Sequence, residues 1–342
     1  MMKKLTIKWI ALLCLPLGVI SILNSCKDWT DVESLKIEQA TVKEKNPALY
    51  AAYLADLKAF KAAPHKISIA WYNNAVKNTV GQADHINGIP DSLDYVVLEQ
   101  PKYLLDREQA EMKQILEEKG IKSLYEINVD FMKGVYDRKV GDAKPKTFQA
   151  FLVDTLSVAL SYSTEFAYQG IVLSFQSKAK LHLSADEQTA QIALEKTVFD
   201  AVNEWKSKHT DKEFIYKGVP YFVSTEKYLD QSSYVILPTQ TALSKSNLAL
   251  QYNEAMAAAD PKWKIILMAY LPSLKPDESA LGYFQDKSLA GVGTAEFVKS
   301  TTGNQEIHGV GLLNLQYDYY NILKSYGKSR EVIGILNPTN KK

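Results

Sequence analysis

Tyr168-Gln169-Gly170-Ile171-Val172-Leu173-Ser174-Phe175-Gln176 alternates with a period of two. Ile171, Leu173 and Phe175 fall on one face, and Val172, Ser174 and Gln176 on the other, which describes a β-strand. Seven further β-rich runs share this character: Lys66–Trp71, Leu93–Gln100, Ser123–Phe131, Glu213–Lys217, Tyr234–Pro238, Lys264–Leu271 and Gly309–Tyr317. Helical spacing predicts helices at Leu49–Ala63, Leu104–Glu118 (stopped by Gly120), Thr147–Glu165 and Ala185–Lys208. Ser184 with Glu187 makes a capping box for the last of these. Further helices are expected at Ser244–Ala259, near Ala295–Ser300 and at Tyr319–Tyr326. Eight strands alternating with helices predict an α/β protein, a (β/α)₈ TIM barrel forming one domain over residues 49–342. A doubly wound open sheet is the rival, but no glycine-rich phosphate turn follows the first strand. In a barrel Ile171, Leu173 and Phe175 pack under the helices. Val172, Ser174 and Gln176 then enter the lumen, with Gln176 nearest the C-terminal mouth.

With that placement, Gln169-Gly170-Ile171-Val172-Leu173-Ser174-Phe175-Gln176 resembles the fourth-strand motif D-G-x-D-x-D-x-E of glycoside hydrolase family eighteen, the chitinases and endo-β-N-acetylglucosaminidases. The glycine, the spacing and the apolar positions match; all four acids are replaced, by Gln169, Val172, Ser174 and Gln176. Pro90-Asp91-Ser92-Leu93-Asp94-Tyr95-Val96-Val97-Leu98 resembles the family's second strand, and Met268-Ala269-Tyr270 its M-x-Y strand. The resemblance runs from about Lys66 to the C-terminus and implies a (β/α)₈ fold. In the family the Glu is the general acid, while the substrate's own acetamide attacks the anomeric carbon and the middle Asp orients it. A carboxamide at 176 has no proton to deliver near neutral pH, and Ser174 carries no negative charge. Loss of proton transfer alone removes about 10²–10⁴-fold in rate. Gln176 and Ser174 still donate and accept hydrogen bonds. The resemblance therefore implies a sugar site without its reactivity.

Other carboxylates bear on catalysis. Glu126, Asn128 and Asp130 share one face of the third run, opposite Tyr125, Ile127 and Val129, which sets Asp130 beside Gln176. Glu99 ends the second run in a comparable place. The two carboxylates either contact ligand hydroxyls or form a relocated acid/base pair. Trp71, Tyr72, Tyr270 and Tyr317 stand at strand ends, where an aromatic ring either stacks on a sugar or packs in the core. Trp205 and Trp263 read as structural. The candidate glycan-binding residues are Gln176, Ser174, Asp130, Glu99, Trp71 and Tyr270, with no catalytic residue among them. His65, His85, His182, His209 and His308 show no ligand-spaced pair, so neither metal nor cofactor is expected.

The chain begins with an address. Lys3, Lys4 and Lys8 precede a nearly uncharged run from Trp9 to Leu23, fewer residues than the ~20 a membrane span needs. Leu23-Asn24-Ser25-Cys26 resembles a bacterial lipobox, implying a signal peptide over 1–25, lipidation at Cys26 and a tether over 26–48. Cleavage takes the formal charge from +1 to −2 and removes Cys14, leaving no free thiol. Forty basic and 39 acidic residues give no global field for nucleic acid. The acidic run Lys27–Glu33 resembles an export tag to the outer face of the outer membrane. The expected protein is a lipid-anchored outer-membrane pseudoenzyme facing the cell exterior. It binds an N-acetylglucosamine-containing glycan or glycoprotein for uptake with neighbouring proteins. Two rivals stand beside this: an active endo-β-N-acetylglucosaminidase with relocated carboxylates, and a scaffold without a sugar site.

Overall fold

A computed structural model of the chain describes residues 42–139, 141, 147–256, 263–303 and 306–338. The lipobox, Cys26 and the acidic run lie outside the described residues. The chain divides into two compact units, residues 1–51 and 52–342. In the first, the described residues form a four-residue helix, Val42–Lys45, and the start of a longer one. The second is the barrel.

Its strands are β1 (Ile67–Tyr72), β2 (Tyr95–Leu98), β3 (Lys122–Asn128), β4 (Gly170–Ser174), β5 (Glu213–Lys217), β6 (Tyr234–Leu237), β7 (Ile265–Tyr270) and β8 (Ile307–Leu313). They close in sequence order, each parallel to the next, with β8 returning to β1. The main helices are α1 (Pro47–Ala62), α2 (Asp106–Lys119), α3 (Val129–Arg138), α4 (Phe148–Glu165), α5 (Ala185–Lys208), α6 (Lys245–Met256), α7 (Ala290–Ser300), α8 (Leu315–Asp318) and α9 (Gly327–Leu336). Gly120, at φ 68°, ends α2 in the left-handed conformation that glycine adopts without penalty. Ser184 and Glu187 form the expected box at the start of α5.

The pleat places side chains as the period-two pattern requires. Ile69, Val97, Leu124, Val172, Ile215 and Ile266 meet inside the barrel, whereas Ile171, Leu173 and Phe175 join the layer beneath the helices. Neighbouring strands approach too closely at Gly170 for any side chain: a Cβ there would lie 2.3 Å from the Glu213 carbonyl oxygen.

Four expectations differ from the structure. β3 stops at Asn128, because that side chain accepts from the Phe131 amide and starts α3; Asp130 sits in the first helical turn. β4 stops at Ser174, two residues short of Gln176. β8 stops at Leu313, since Asn314 turns the chain at φ 68° into α8. The helix expected at Tyr319–Tyr326 forms later, as α9. Asp318 accepts from the amides of Lys328 and Ser329 and from the Ser329 hydroxyl, which fixes where α9 begins.

Candidate functional site

The C-terminal end of the lumen is polar. Trp71 on β1, Glu126 and Asn128 on β3, Ser174 on β4 and Lys217 on β5 share the parity of the lumen-filling residues below them. Glu126 is the hub. Its carboxylate accepts from Trp71 Nε1 at 2.7 Å, Lys217 Nζ at 2.8 Å and Asn128 Nδ2 at 3.2 Å. The Lys217 ammonium also lies 5.5 Å from the centre of the Trp71 ring, within range of a cation–π attraction. Lys217 reaches Glu126 across β4, whose lumen-facing residues Val172 and Ser174 are short.

From this hub a groove of about 740 Å³ runs outward over the ends of β2 and β3. Trp71, Glu99, Glu126 and Asn128 line its polar part, and Phe131 and Tyr162 stand among its apolar walls. Glu99 sits at the exposed rim. Although the residue is exposed, the groove wall partly desolvates its carboxyl, and this and, secondarily, the Glu126 charge push its pKa up, against the pull of Lys275 and Lys217. Such a group holds its proton longer than an ordinary glutamate.

The candidate residues separate into different places. Trp71 and Glu99 share the groove, although Trp71 is only 3% exposed and serves Glu126 more than an open sugar face. Ser174 is buried in the lumen. Asp130 and Gln176 are exposed and line a smaller cleft of about 340 Å³ with Lys133, Phe148 and Lys178. The Gln176 backbone amide donates to the Asp130 carboxylate; burial nonetheless raises the Asp130 pKa. Tyr270 ends β7, half-buried, with a hydroxyl pKa raised by burial and then by Glu278. Tyr72 is buried on the helix side and donates to the Ala83 carbonyl. Tyr317 belongs to α8. Trp205 is a core residue that donates to Ser163 Oγ, and Trp263 is buried. Sequence reading missed Glu126, Asn128 and Lys217 as site residues. Lys217 carries the same signal as Ser174: lumen parity at the last residue of a strand. Among the described residues no group of three or more His, Cys, Asp or Glu is placed to hold a metal.

A family model described as glycoside hydrolase family 18, BT1044-like, matches residues 30–335. The chain belongs to this family. Among solved structures, one described as a selenomethionine form of BT1044 with a single Glu-to-Gln replacement is 16% identical, with a TM-score of 0.63 over 87% of this chain and 96% of its own. An endo-β-N-acetylglucosaminidase from Cordyceps militaris is 17% identical, with a TM-score of 0.57 over 84% and 96%. The same fungal enzyme, as a double variant in complex with fucosyl-N-acetylglucosamine-Asn, gives 0.56. No curated protein matches the chain. The family and the closed barrel bear out the fold and the resemblance read from β4.

Proposed function

We propose that this family member is a non-catalytic, lipid-anchored glycan-binding protein of the bacterial outer surface, capturing N-acetylglucosamine-containing glycans of the N-glycan type for uptake. One observation carries the reading: β4 delivers Val172 and Ser174 to the lumen where the family motif has acids, and Gln176 follows beyond the strand. The nearby Glu126 carboxylate is occupied by three donors, so it is built as a fixed acceptor rather than a proton shuttle. In support, the fungal relative holds its fucosyl-N-acetylglucosamine-Asn ligand as a variant with an Asp and a Glu amidated; this chain carries an amide at Gln176. Ser174, Gln176, Asp130, Glu99, Trp71 and Tyr270 are the proposed ligand contacts, and Asn128 joins them because it lines the same groove as Trp71 and Glu99.

A second reading has its own support. The raised carboxyls of Glu99 and Asp130 are the form a relocated general acid takes. One experiment separates the two. The chain from residue 27 onward is mixed with N-glycosylated glycoprotein; bound glycan is measured by calorimetry and released glycan by mass spectrometry. Saturable binding without release supports capture. Release that disappears in Glu99→Gln or Asp130→Asn overturns it in favour of hydrolysis, and no binding by folded protein overturns both.

A further inference from the structure

The other end of the barrel carries a second polar cavity. About 750 Å³ in volume, it lies at the N-terminal ends of the strands, one strand length below the groove, about 20 Å. Cationic groups crowd it: Lys61, Lys66, Lys122 and Lys264, with His65 and His308. Three have acidic partners. His65 Nε2 meets Asp94 at 2.8 Å, Lys66 meets Glu306 at 2.7 Å, and Lys122 meets Glu213 at 2.6 Å. Three do not, among the described residues. The Lys61 ammonium donates only to the Leu93 carbonyl. Lys264 lies 5.8 Å from the Tyr234 ring centre and in no ion pair. His308 Nδ1 is buried without a hydrogen-bond partner.

Cations without a carboxylate in contact are free to meet an anion that enters the cavity. Electrostatics point the same way. Burial lowers the Lys61 pKa to about 8 against the pull of Asp94 and Asp91, and the Lys119 charge adds to the depression. Burial lowers His308, and the ammoniums of Lys66 and Lys264 lower it further against the pull of Glu306. The cavity lining itself carries four lysines, Lys61, Lys66, Lys122 and Lys264, against the two acids Asp94 and Glu306.

We propose that this cavity binds a phosphate-class oxyanion, with Lys61, Lys264 and His308 as its donors. A tetrahedral oxyanion offers several acceptor oxygens to donors arriving from a helix (Lys61), a loop (Lys264) and a strand (His308), and ammonium groups bind it as point charges. A neutral sugar would leave the charge excess in place. The residues from Lys61 to Ile67, through which the chain enters the barrel, line the cavity, and Cys26 precedes them in sequence. Membrane headgroup phosphates are therefore the source that a lipid anchor brings to high local concentration. That choice of source rests on the proposed anchor; the oxyanion site does not.

The test titrates sodium phosphate, against sodium chloride of equal ionic strength, into the chain from residue 27 onward, which retains the whole barrel unit. The His308 ring signals are followed by NMR and assigned with His308→Gln. A saturable, phosphate-specific shift is expected, weakened about tenfold by Lys264→Gln, as loss of one charge-assisted hydrogen bond requires. Lys264 is exposed, so that variant keeps the fold; Lys61→Met is the second arm. A parallel arm measures retention on phosphatidylglycerol–phosphatidylcholine vesicles. Retention lost in Lys264→Gln upholds the site with headgroups as source; saturation without retention upholds it with free phosphate as source. Absence of a phosphate-specific shift in folded protein overturns the site, and so does a shift unaltered by both lysine variants. Glycan binding at the opposite end is measured on the same samples and is expected unchanged, so the two proposals fail separately.

Discussion

Lys217→Met isolates the ion pair on which the mouth is built. The side chains of Lys217 and Glu126 are 13% and 16% exposed, so the pair is mostly desolvated. Removing one partner of a fully buried pair costs about 3–5 kcal/mol. Two considerations reduce this: the remaining exposure, and the Trp71 and Asn128 donors that still compensate Glu126. Methionine also keeps much of the apolar stem against the Trp71 ring. The expected loss is about 1–3 kcal/mol, a fall in Tm of roughly 2–6 °C for a domain of this size. Glu126→Gln is expected to cost a similar amount, because it leaves the ammonium facing an amide. The double variant removes both charges and is expected to be about 1–2 kcal/mol more stable than the summed losses of the singles would make it. Thermal melts of the four proteins, followed by near-ultraviolet circular dichroism, give the cycle. Strictly additive losses would refute the reasoning, because they would mean that the two charges do not sense each other.

Other consequences are open to measurement. Gly170→Ala forces a Cβ against the Glu213 backbone; strands β4 and β5 must separate, and soluble folded protein is expected to be lost or its Tm to drop sharply, while an unchanged melt would contradict the close approach. At Gly311 an added Cβ would stand 3.1 Å from the Trp71 ring, so Gly311→Ala should cost about 1–3 kcal/mol by overpacking and weaken glycan binding in calorimetry; intact affinity would place Trp71 outside the ligand's reach. The Asp94 hydrogen bond raises the His65 pKa above 6.5, so its stabilisation is complete below that pH and fades as pH rises through the folded value. The Tm gap between the parent and His65→Gln should therefore be wider at about pH 5.5 than at about pH 8.5, and a gap that widens with pH would reverse the argument. Cys26→Ala, expressed with its signal peptide, should shift the protein from the membrane fraction to the soluble one; retention in the membrane would remove the lipid anchor.

The barrel was legible because the pleat is a local property. Whether Val172 or Leu173 faces inward follows from alternation along one strand, and a one-residue error would have buried Ser174 and Gln176 among the helices. Element ends were not legible in the same way. Asn128 and Asp130 read as the outer half of a strand, although an Asn cap followed by an acid is also how a helix begins. The backbone took the second option because Asn128 found the Phe131 amide. That choice moved Asp130 off the lumen and beside Gln176 on the rim. The Glu126–Lys217 contact was further out of reach, since it joins strands that are not neighbours. It depends on the register that pairs Glu126 with Val172 and Ser174 with Lys217, and on β4 presenting nothing long between them. The short lumen-facing side chains of Val172 and Ser174 leave open the path by which a lysine from β5 reaches a glutamate on β3. Long or acidic side chains at 172 or 174 would compete with the Glu126 hub for Lys217.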